Sequence, residues 1–244
     1  MPDSPMKPIL LQGAMDSETK EFIAALDGAK HTCIGGYAFT EGMLDGRPVV
    51  ISKTLMGMAN AAAATAIGIM AYRPRAVINQ GTAGGHTPAL RRGDLVLGAR
   101  LVTIQYTASQ WTPAGGGVHT ENWRHMATEL PGQTKRTNSL SADENLLAIA
   151  QSIPYARGRL LTGTIGTGDV FNREVDRIAQ LRAQLGTDCE QMEAFPAAQV
   201  CAGFSVPCLC IRVISNNELR REGFDEGTAA DSQRFTLAVA GRIQ

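Results

Sequence analysis

Short apolar segments alternate with helical patterns along almost the whole chain, and this alternation constrains the fold more than any other feature. Residues 48–51 and 208–214 are apolar runs with the length of buried strands, whereas residues 57–72 and 174–185 carry apolar side chains at helical spacing. Strands that alternate with helices are typical of α/β proteins with a largely parallel or mixed sheet. The sequence therefore predicts an α/β fold. Because no linker or internal repeat is apparent, it also predicts one domain over residues 1–244.

Three local patterns make this prediction more specific. Residues 76–79 are an apolar strand that is expected to end in a glycine loop at residues 81–85. In the first of the two helices, Ile67 and Met70 are spaced to face the core. Ser141 opens an S-x-x-E pattern, which predicts that Ser141 caps the next helix.

Charge and cysteine content argue against several classes of protein. The chain has 23 basic and 23 acidic side chains and no net charge, whereas a nucleic-acid-binding domain normally carries a basic excess. Its five cysteines show no zinc-site spacing and are typical of the free thiols of a cytosolic protein. No apolar stretch approaches the roughly 18 residues of a membrane span. We therefore expect a cytoplasmic protein without a metal, a nucleic-acid partner or a membrane segment.

Four polar or glycine-rich segments follow predicted strands, which is where open α/β sheets bind ligands. They are residues 13–18, 81–85, 191–193 and 215–217. Each segment alone is most simply a turn or the start of a helix. Their order along the chain carries more information than any one of them.

Taken together, these segments resemble the nucleoside phosphorylase/hydrolase family, and most closely its 5′-methylthioadenosine/S-adenosylhomocysteine nucleosidases. The matching motifs are G-A-M-x-x-E at 13–18, N-x-G-[ST]-A-G-G at 79–85, an S-G-D-x-F-like segment at 167–171, M-E-A at 192–194 and V-P-x-x-x-[IV]-R-x-I-S-D at 206–216. The resemblance covers about residues 8–235. It implies a three-layer domain in which helices flank a central mixed, twisted sheet, and it implies a homodimer.

The same resemblance implies an N-glycosyl hydrolase that acts on a purine nucleoside, with 5′-methylthioadenosine or S-adenosylhomocysteine as the first candidate substrates and no cofactor. Glu18 would activate the attacking water, and Glu193 would accept hydrogen bonds from the ribose hydroxyls. The other implied substrate-binding residues are Met56, Thr82, Ala83, Gly84, Phe171, Asn172, Met192, Ser215 and Phe224.

Asn216 departs from the family, which has an aspartate at this position to protonate the leaving purine. An amide cannot deliver a proton, so a general-acid contribution of about 10²–10⁴-fold in rate would be missing. It can still hydrogen-bond either adenine or a 6-oxopurine. The open alternatives are therefore a 6-oxopurine nucleosidase, acting on a futalosine- or inosine-like substrate, a purine nucleoside phosphorylase and a catalytically silent nucleoside-binding protein. Asp16 and Glu18 make the first loop acidic, which favours water over phosphate.

Several other residues leave questions for the structure. Arg212 is either part of a structural ion pair or a site residue, and Asp169 is expected to brace a loop. Asn217 and Asp225 are the nearby candidates to replace the missing acid. Residues 106–140 are irregular, and we expect them to form an excursion over a site. Within it, the segment from Trp111 to Pro131 is expected to shape the pocket for the 5′ substituent.

Overall fold

The computed structural model describes residues 6–130, 132, 134 and 136–243, and its centre is a ten-stranded mixed sheet. The strands are β1 (Ile9–Gly13), β2 (Asp27–Ile34), β3 (Tyr37–Leu44), β4 (Arg47–Lys53), β5 (Ala76–Gly85), β6 (Leu95–Thr103), β7 (Thr107–Ala108), β8 (Arg124–His125), β9 (Thr128–Glu129), β10 (Arg136–Thr137), β11 (Ser139–Ser141), β12 (Leu160–Thr167), β13 (Cys189–Gln191) and β14 (Cys208–Asn216). The helices are α1 (Lys20–Ala24), α2 (Met58–Tyr72), α3 (Glu144–Gln151), α4 (Val175–Leu185), α5 (Ala194–Gly203) and α6 (Ala229–Ala240).

The order of strands in the central sheet is β11-β6-β12-β13-β5-β1-β4-β3-β2, and β14 pairs with both β5 and β6. The pairs that β1 forms with β4 and β5 are parallel, as are those of β14 with β5 and of β12 with β6. The β2–β3–β4 ribbon is antiparallel. The strands at the centre of this mixed sheet are buried on both faces, which explains their continuous apolar sequences.

Helices cover both faces of the sheet, and the side chains of β1 pack against helices on each face. Ile9 and Leu11 pack in a cluster with side chains of α1, α3 and α6. Leu10, between them, packs in a different cluster with side chains of α2 and α5. Successive side chains of a strand point to opposite faces, so a run of apolar residues can bury both. The predicted fold class, a central mixed sheet with helices on either side, is confirmed.

The predicted glycine loop is wrong, because β5 continues as a strand through Gly85. The glycines of this segment are there to give neighbouring side chains room. A Cβ on Gly81 would lie 2.8 Å from Glu18 Oε1, and one on Gly84 would lie 3.2 Å from Asn216 Nδ2. The strand therefore lets the side chain of Glu18 pack beside Gly81 and that of Asn216 pack beside Gly84.

Two predictions about helices are also wrong in detail. Met70 is 71% exposed, and Ile67 is only partly buried. The buried positions of α2 are Ala61, Ala64, Thr65, Gly68 and Ile69. Ser141 ends β11 and does not cap α3; the cap is Asp143, whose side chain accepts a hydrogen bond from Leu146 N at 3.0 Å.

Residues 106–138 form an excursion of short pieces, as predicted, whereas Ser139 and Leu140 belong to β11 of the central sheet. Within the described residues it contains two small ribbons, β7–β8 and β9–β10, which are separate from the central sheet. Residues 131, 133 and 135 of this segment lie outside the described residues. None of the helices in the described part of the chain combines the length and apolar character that a membrane crossing requires.

Candidate active site

A cavity of about 290 Å³ opens where β1, β5, β12, β13 and β14 reach their carboxyl ends. This volume lies close to the lower end of the range for small-molecule sites, about 300 Å³. Its wall is formed by Ala14, Met15, Glu18, Met56, Thr82, Ala83, Gly84, Val170, Phe171, Glu190, Gln191, Met192, Glu193, Ser215, Asn216 and Phe224.

All but one of the site residues implied by the sequence lie on this wall, although they come from seven separate segments. No described residue of the segment from 111 to 131, which was expected to shape the pocket, lies on it. The exception is Asn172, which lines a neighbouring cavity with Trp123 and Arg177. The sequence analysis did not identify Glu190 as a lining residue, and it included Gln191 only as part of the polar segment 191–193 without a role of its own. Both belong to β13, a strand of only three residues, which is too short to give a recognisable pattern.

The carboxylate of Glu18 is held in place by backbone and hydroxyl donors. Its Oε2 accepts a hydrogen bond from Ala14 N at 2.8 Å. Its Oε1 accepts from Thr82 N at 2.8 Å and from Thr82 Oγ1 at 3.0 Å. The residue is only 3% exposed, yet it lies on the cavity wall. Glu18 therefore presents an oriented carboxylate to whatever occupies the cavity.

Glu193 approaches the same cavity from the start of α5. Its Oε1 accepts from Gly57 N at 3.0 Å, and its Oε2 accepts from Met192 N at 3.3 Å. Burial raises the pKa of Glu193, and the nearby Glu18 raises this pKa further, whereas Arg212 lowers it. Glu18 is thus close enough for its charge to raise the pKa of Glu193.

Arg212 lies behind the wall and is 1% exposed, so the structure favours the structural alternative for this residue. Its Nη2 donates to Asn79 Oδ1 at 2.5 Å and to Gln191 Oε1 at 2.9 Å, and it lies 3.9 Å from Glu193 Oε2. Gln191 Oε1 also accepts from the backbone N of Glu193 at 2.5 Å and of Ala194 at 2.8 Å. The guanidinium and this amide together fix the position of Glu193.

Asn216 ends β14 on the far side of the cavity and is 3% exposed. Its Oδ1 accepts a hydrogen bond from Ser215 Oγ at 3.1 Å. Asn217 does not share this environment, because its Nδ2 donates to the backbone oxygens of Thr87 at 2.8 Å and Leu90 at 2.9 Å. Asp225 accepts from Gly227 N at 2.9 Å. Neither residue lies on the cavity wall, so neither is placed to replace an acid at 216.

Asp169 braces a loop, as expected, by accepting a hydrogen bond from Met58 N at 2.7 Å. It thereby ties the segment after β12 to the beginning of α2.

The charged side chains on the wall are three carboxylates, those of Glu18, Glu190 and Glu193, and in the described part of the chain no lysine or arginine joins them there. Among the same residues, no group of three or more His, Cys, Asp or Glu side chains is arranged to hold a metal ion. The chemistry of this cavity therefore depends on carboxylates, amides and hydroxyls that surround a space of ligand size.

Comparison with known proteins places this geometry in a family. The sequence profile of the Phosphorylase superfamily matches residues 8–243. The 5′-methylthioadenosine/S-adenosylhomocysteine nucleosidase of Geobacillus kaustophilus (strain HTA426) is 35% identical over 238 residues, which cover 93% of this chain and 94% of that protein.

Solved structures of similar proteins share the fold. One is the nucleosidase of the same name from Neisseria meningitidis, in complex with methylthio-immucillin-A, with a TM-score of 0.82 and 24% sequence identity. The alignment covers 98% of this chain and 100% of that chain. Another is the nucleosidase from Colwellia psychrerythraea 34H, in complex with adenine, with a TM-score of 0.78 and 27% sequence identity; the alignment covers 97% of this chain and 95% of that chain.

Proposed function

This chain belongs to the Phosphorylase superfamily, and we propose that it hydrolyses the N-glycosidic bond of 5′-methylthioadenosine and S-adenosylhomocysteine to release adenine and the thioribose. The observation that carries the proposal is the meeting of Glu18 and Glu193 in one cavity of ligand size. The substrates follow those named for the similar nucleosidases.

Glycosidic cleavage develops positive charge on the ribose, and the two carboxylates serve this transition state in different ways. Glu18 takes a proton from the attacking water, and its negative charge stabilises the oxocarbenium-like sugar. Glu193 accepts hydrogen bonds from the ribose hydroxyls. Arg212 and Gln191 hold Glu193 in position for this task.

The apolar wall residues hold the remainder of the substrate. Met192 packs against the sugar, and Phe171 stacks near the base. Met56 and Phe224, which are 61% and 51% exposed, lie at the end that receives the 5′ substituent. Thr82, Ala83 and Gly84 line the space between them.

Water, and not phosphate, is the acceptor in this proposal. A phosphate dianion is normally held by arginine side chains and backbone N–H groups. Here the charged groups on the described wall are all carboxylates, and the donors nearest Glu18 are already bonded to it. A phosphate dianion in the same cavity would be repelled by these carboxylates.

Asn216 supports a second candidate, a nucleosidase that releases a 6-oxopurine. Its amide can donate to the 6-oxo group and accept from a protonated N7, or donate to N7 and accept from the amino group of adenine. The silent-binder alternative has less support, because a protein that only binds nucleosides has no need of the oriented carboxylate of Glu18.

The decisive assay separates base release from phosphorolysis. We expect the purified protein to release free adenine from 5′-methylthioadenosine, detected by chromatography, at the same rate with and without phosphate. A sugar phosphate that forms only with phosphate would identify a phosphorylase. Binding of the nucleoside without release of any base would refute the enzymatic proposal.

We also propose that the protein is a cytoplasmic homodimer. Its five cysteines are free thiols, as is usual for cytosolic proteins. Exposed apolar side chains at the cavity mouth, including Met56 and Phe171, are candidates for burial against a second copy. Light scattering during gel filtration measures the mass directly, and a mass of one chain would contradict the dimer.

A further inference from the structure

Glu190 and Asn216 face each other across one glycine of the central sheet. In β13, Glu190 is paired with Gly84, and in β14, Asn216 is paired with the same Gly84 from the other side. Neighbouring strands lie about 4.8 Å apart, so the two backbones are separated by roughly 10 Å. Both side chains line the cavity, and Gly84 leaves the floor between them open.

The carboxylate of Glu190 accepts two hydrogen bonds from one neighbouring residue. Its Oε1 accepts from Asn172 N at 2.9 Å, and its Oε2 accepts from Asn172 Nδ2 at 2.6 Å. His86 Nε2 lies 3.1 Å from Oε2, although it is not aligned for a full hydrogen bond. Thr187 Oγ1 holds the other ring nitrogen, Nδ1, at 2.7 Å. These contacts fix the carboxylate in one orientation.

Glu190 retains the capacity to accept one more donor. A carboxylate has about four lone-pair sites and no hydrogen to donate. Asn172 and His86 approach three of these sites, and the residue is 7% exposed and lines the cavity. A ligand group that meets Glu190 is therefore favoured if it carries an N–H or O–H and is disfavoured if it carries a lone pair.

We propose that Glu190 reads the N1 edge of the bound purine, so that the site also hydrolyses 6-oxopurine nucleosides and favours them over the matching adenine nucleosides. This inference rests on the nucleosidase function proposed above. A purine that lies over Gly84 with N7 toward Asn216 directs its six-membered ring toward Glu190. At that edge a 6-oxopurine has an N1–H donor, whereas adenine has an unprotonated N1.

The reaction with such a substrate is the same hydrolysis. The water oxygen bonds to C1′, the C1′–N9 bond breaks, and its electron pair stays on the purine. Glu18 takes one proton from the water, and the purine takes up one proton from solvent. Asn216 can serve either base by turning its amide, so the selection between bases falls to Glu190.

The test compares one substitution on two substrates. The wild type, Glu190→Gln and the control Glu144→Gln are assayed with 5′-methylthioadenosine and with 5′-methylthioinosine, its 6-oxo counterpart. Glutamine can turn its NH2 group toward N1 of adenine, which the carboxylate cannot do. We expect the ratio of kcat/KM for the 6-oxo substrate over the adenine substrate to exceed one in the wild type and to fall about tenfold or more in Glu190→Gln. The exposed Glu144, in the first turn of α3, should leave the ratio unchanged.

A purely structural role for Glu190 gives a different result. If the carboxylate only anchors Asn172, then Glu190→Gln and Asn172→Ala will lower kcat/KM for both substrates by the same factor, and the unchanged ratio overturns the inference. Should Glu190→Gln fail to fold, the affinities of the wild type for the free bases decide: tighter binding of hypoxanthine than of adenine supports the inference, and equal or weaker binding overturns it. Failure of the proposed nucleosidase function is distinct, because then the wild type releases no base from either substrate.

Discussion

Replacing Glu18 by glutamine exchanges one carboxylate oxygen for an NH2 group and leaves the size of the side chain unchanged. Three donors converge on the native carboxylate: Ala14 N on one oxygen, and Thr82 N and Oγ1 on the other. An amide has a single oxygen, so at least one buried backbone N–H must face the new NH2 group. The substitution therefore removes a base and introduces a local mismatch.

The expected magnitudes follow from these two effects. Loss of a general base lowers kcat by about 10²–10⁴-fold. One unsatisfied buried donor costs about 1–3 kcal/mol, which corresponds to a fall in melting temperature of about 2–12 °C for a domain of this size. Glu18 lies near the sugar and not the base in this proposal, so the Kd for adenine should change by less than about threefold.

The assay combines saturating turnover of 5′-methylthioadenosine, thermal unfolding and calorimetric binding of adenine. Asp16→Asn is the matched control, because Asp16 is in the same short helical turn, its side chain is 88% exposed and it pairs with Lys53 at 2.8 Å. A surface pair of this kind contributes about 1 kcal/mol or less, so the control should retain kcat within about twofold. If Glu18→Gln retains kcat within tenfold of the wild type, Glu18 is not the base.

Three further predictions concern the opposite wall of the cavity and the pH dependence. In Asn216→Asp, burial would raise the pKa of the new carboxyl group, so that this group carries a proton it can deliver to the purine. The kcat with 5′-methylthioadenosine should then rise by about tenfold or more, and an unchanged kcat would contradict this role of position 216. Gly84→Ala places a Cβ 3.2 Å from Asn216 Nδ2, so KM should rise by about tenfold, whereas an unchanged KM would mean that the base does not lie over Gly84. Burial raises the pKa of Glu193 above its ordinary value of 4.5, so its acceptor form is lost as pH falls through that raised pKa. The acid limb of kcat/KM should lie above pH 4.5, and a limb at or below that value contradicts the role of Glu193. Because the pKa of Glu193 is higher in the native protein than in the unfolded chain, the native protein binds this proton more tightly. The resulting contribution to folding stability is present below pH 4.5 and is lost as pH rises through the native pKa.

The sequence was informative where a residue's environment follows from its neighbours in the chain. The apolar runs at 48–51 and 208–214 became β4 and β14, because strands buried on both faces need continuous apolar sequence. The motif at 192–194 placed Glu193 on the same wall as Glu18, although the two are far apart in the chain. For these positions the local pattern and the final environment agree.

Predictions failed where the environment is set by distant parts of the chain. The hairpin of β2 and β3 was not predicted, because β2 is exposed along nearly its whole length and shows no apolar alternation. The glycines of β5 are typical of a loop, but their role is to admit the side chains of Glu18 and Asn216. Met70 matches a helical repeat, yet the face that α2 buries consists mainly of small residues. No sequence pattern identified Glu190, because its environment depends on the strand pairing with Gly84 and on the hydrogen bond from Asn172, which lie in other segments.

The grouping of three carboxylates around one small cavity is unfavourable for folding, and the raised pKa of Glu193 is a sign of this repulsion as well as of burial. Arg212 offsets part of the cost from behind the wall without entering the cavity. Such a concentration of negative charge attracts positive charge that enters the cavity. The positive charge that develops on a ribose during glycosidic cleavage is of this kind. In the proposed mechanism the carboxylates interact more strongly with the transition state than with the neutral substrate, which is the condition for catalysis.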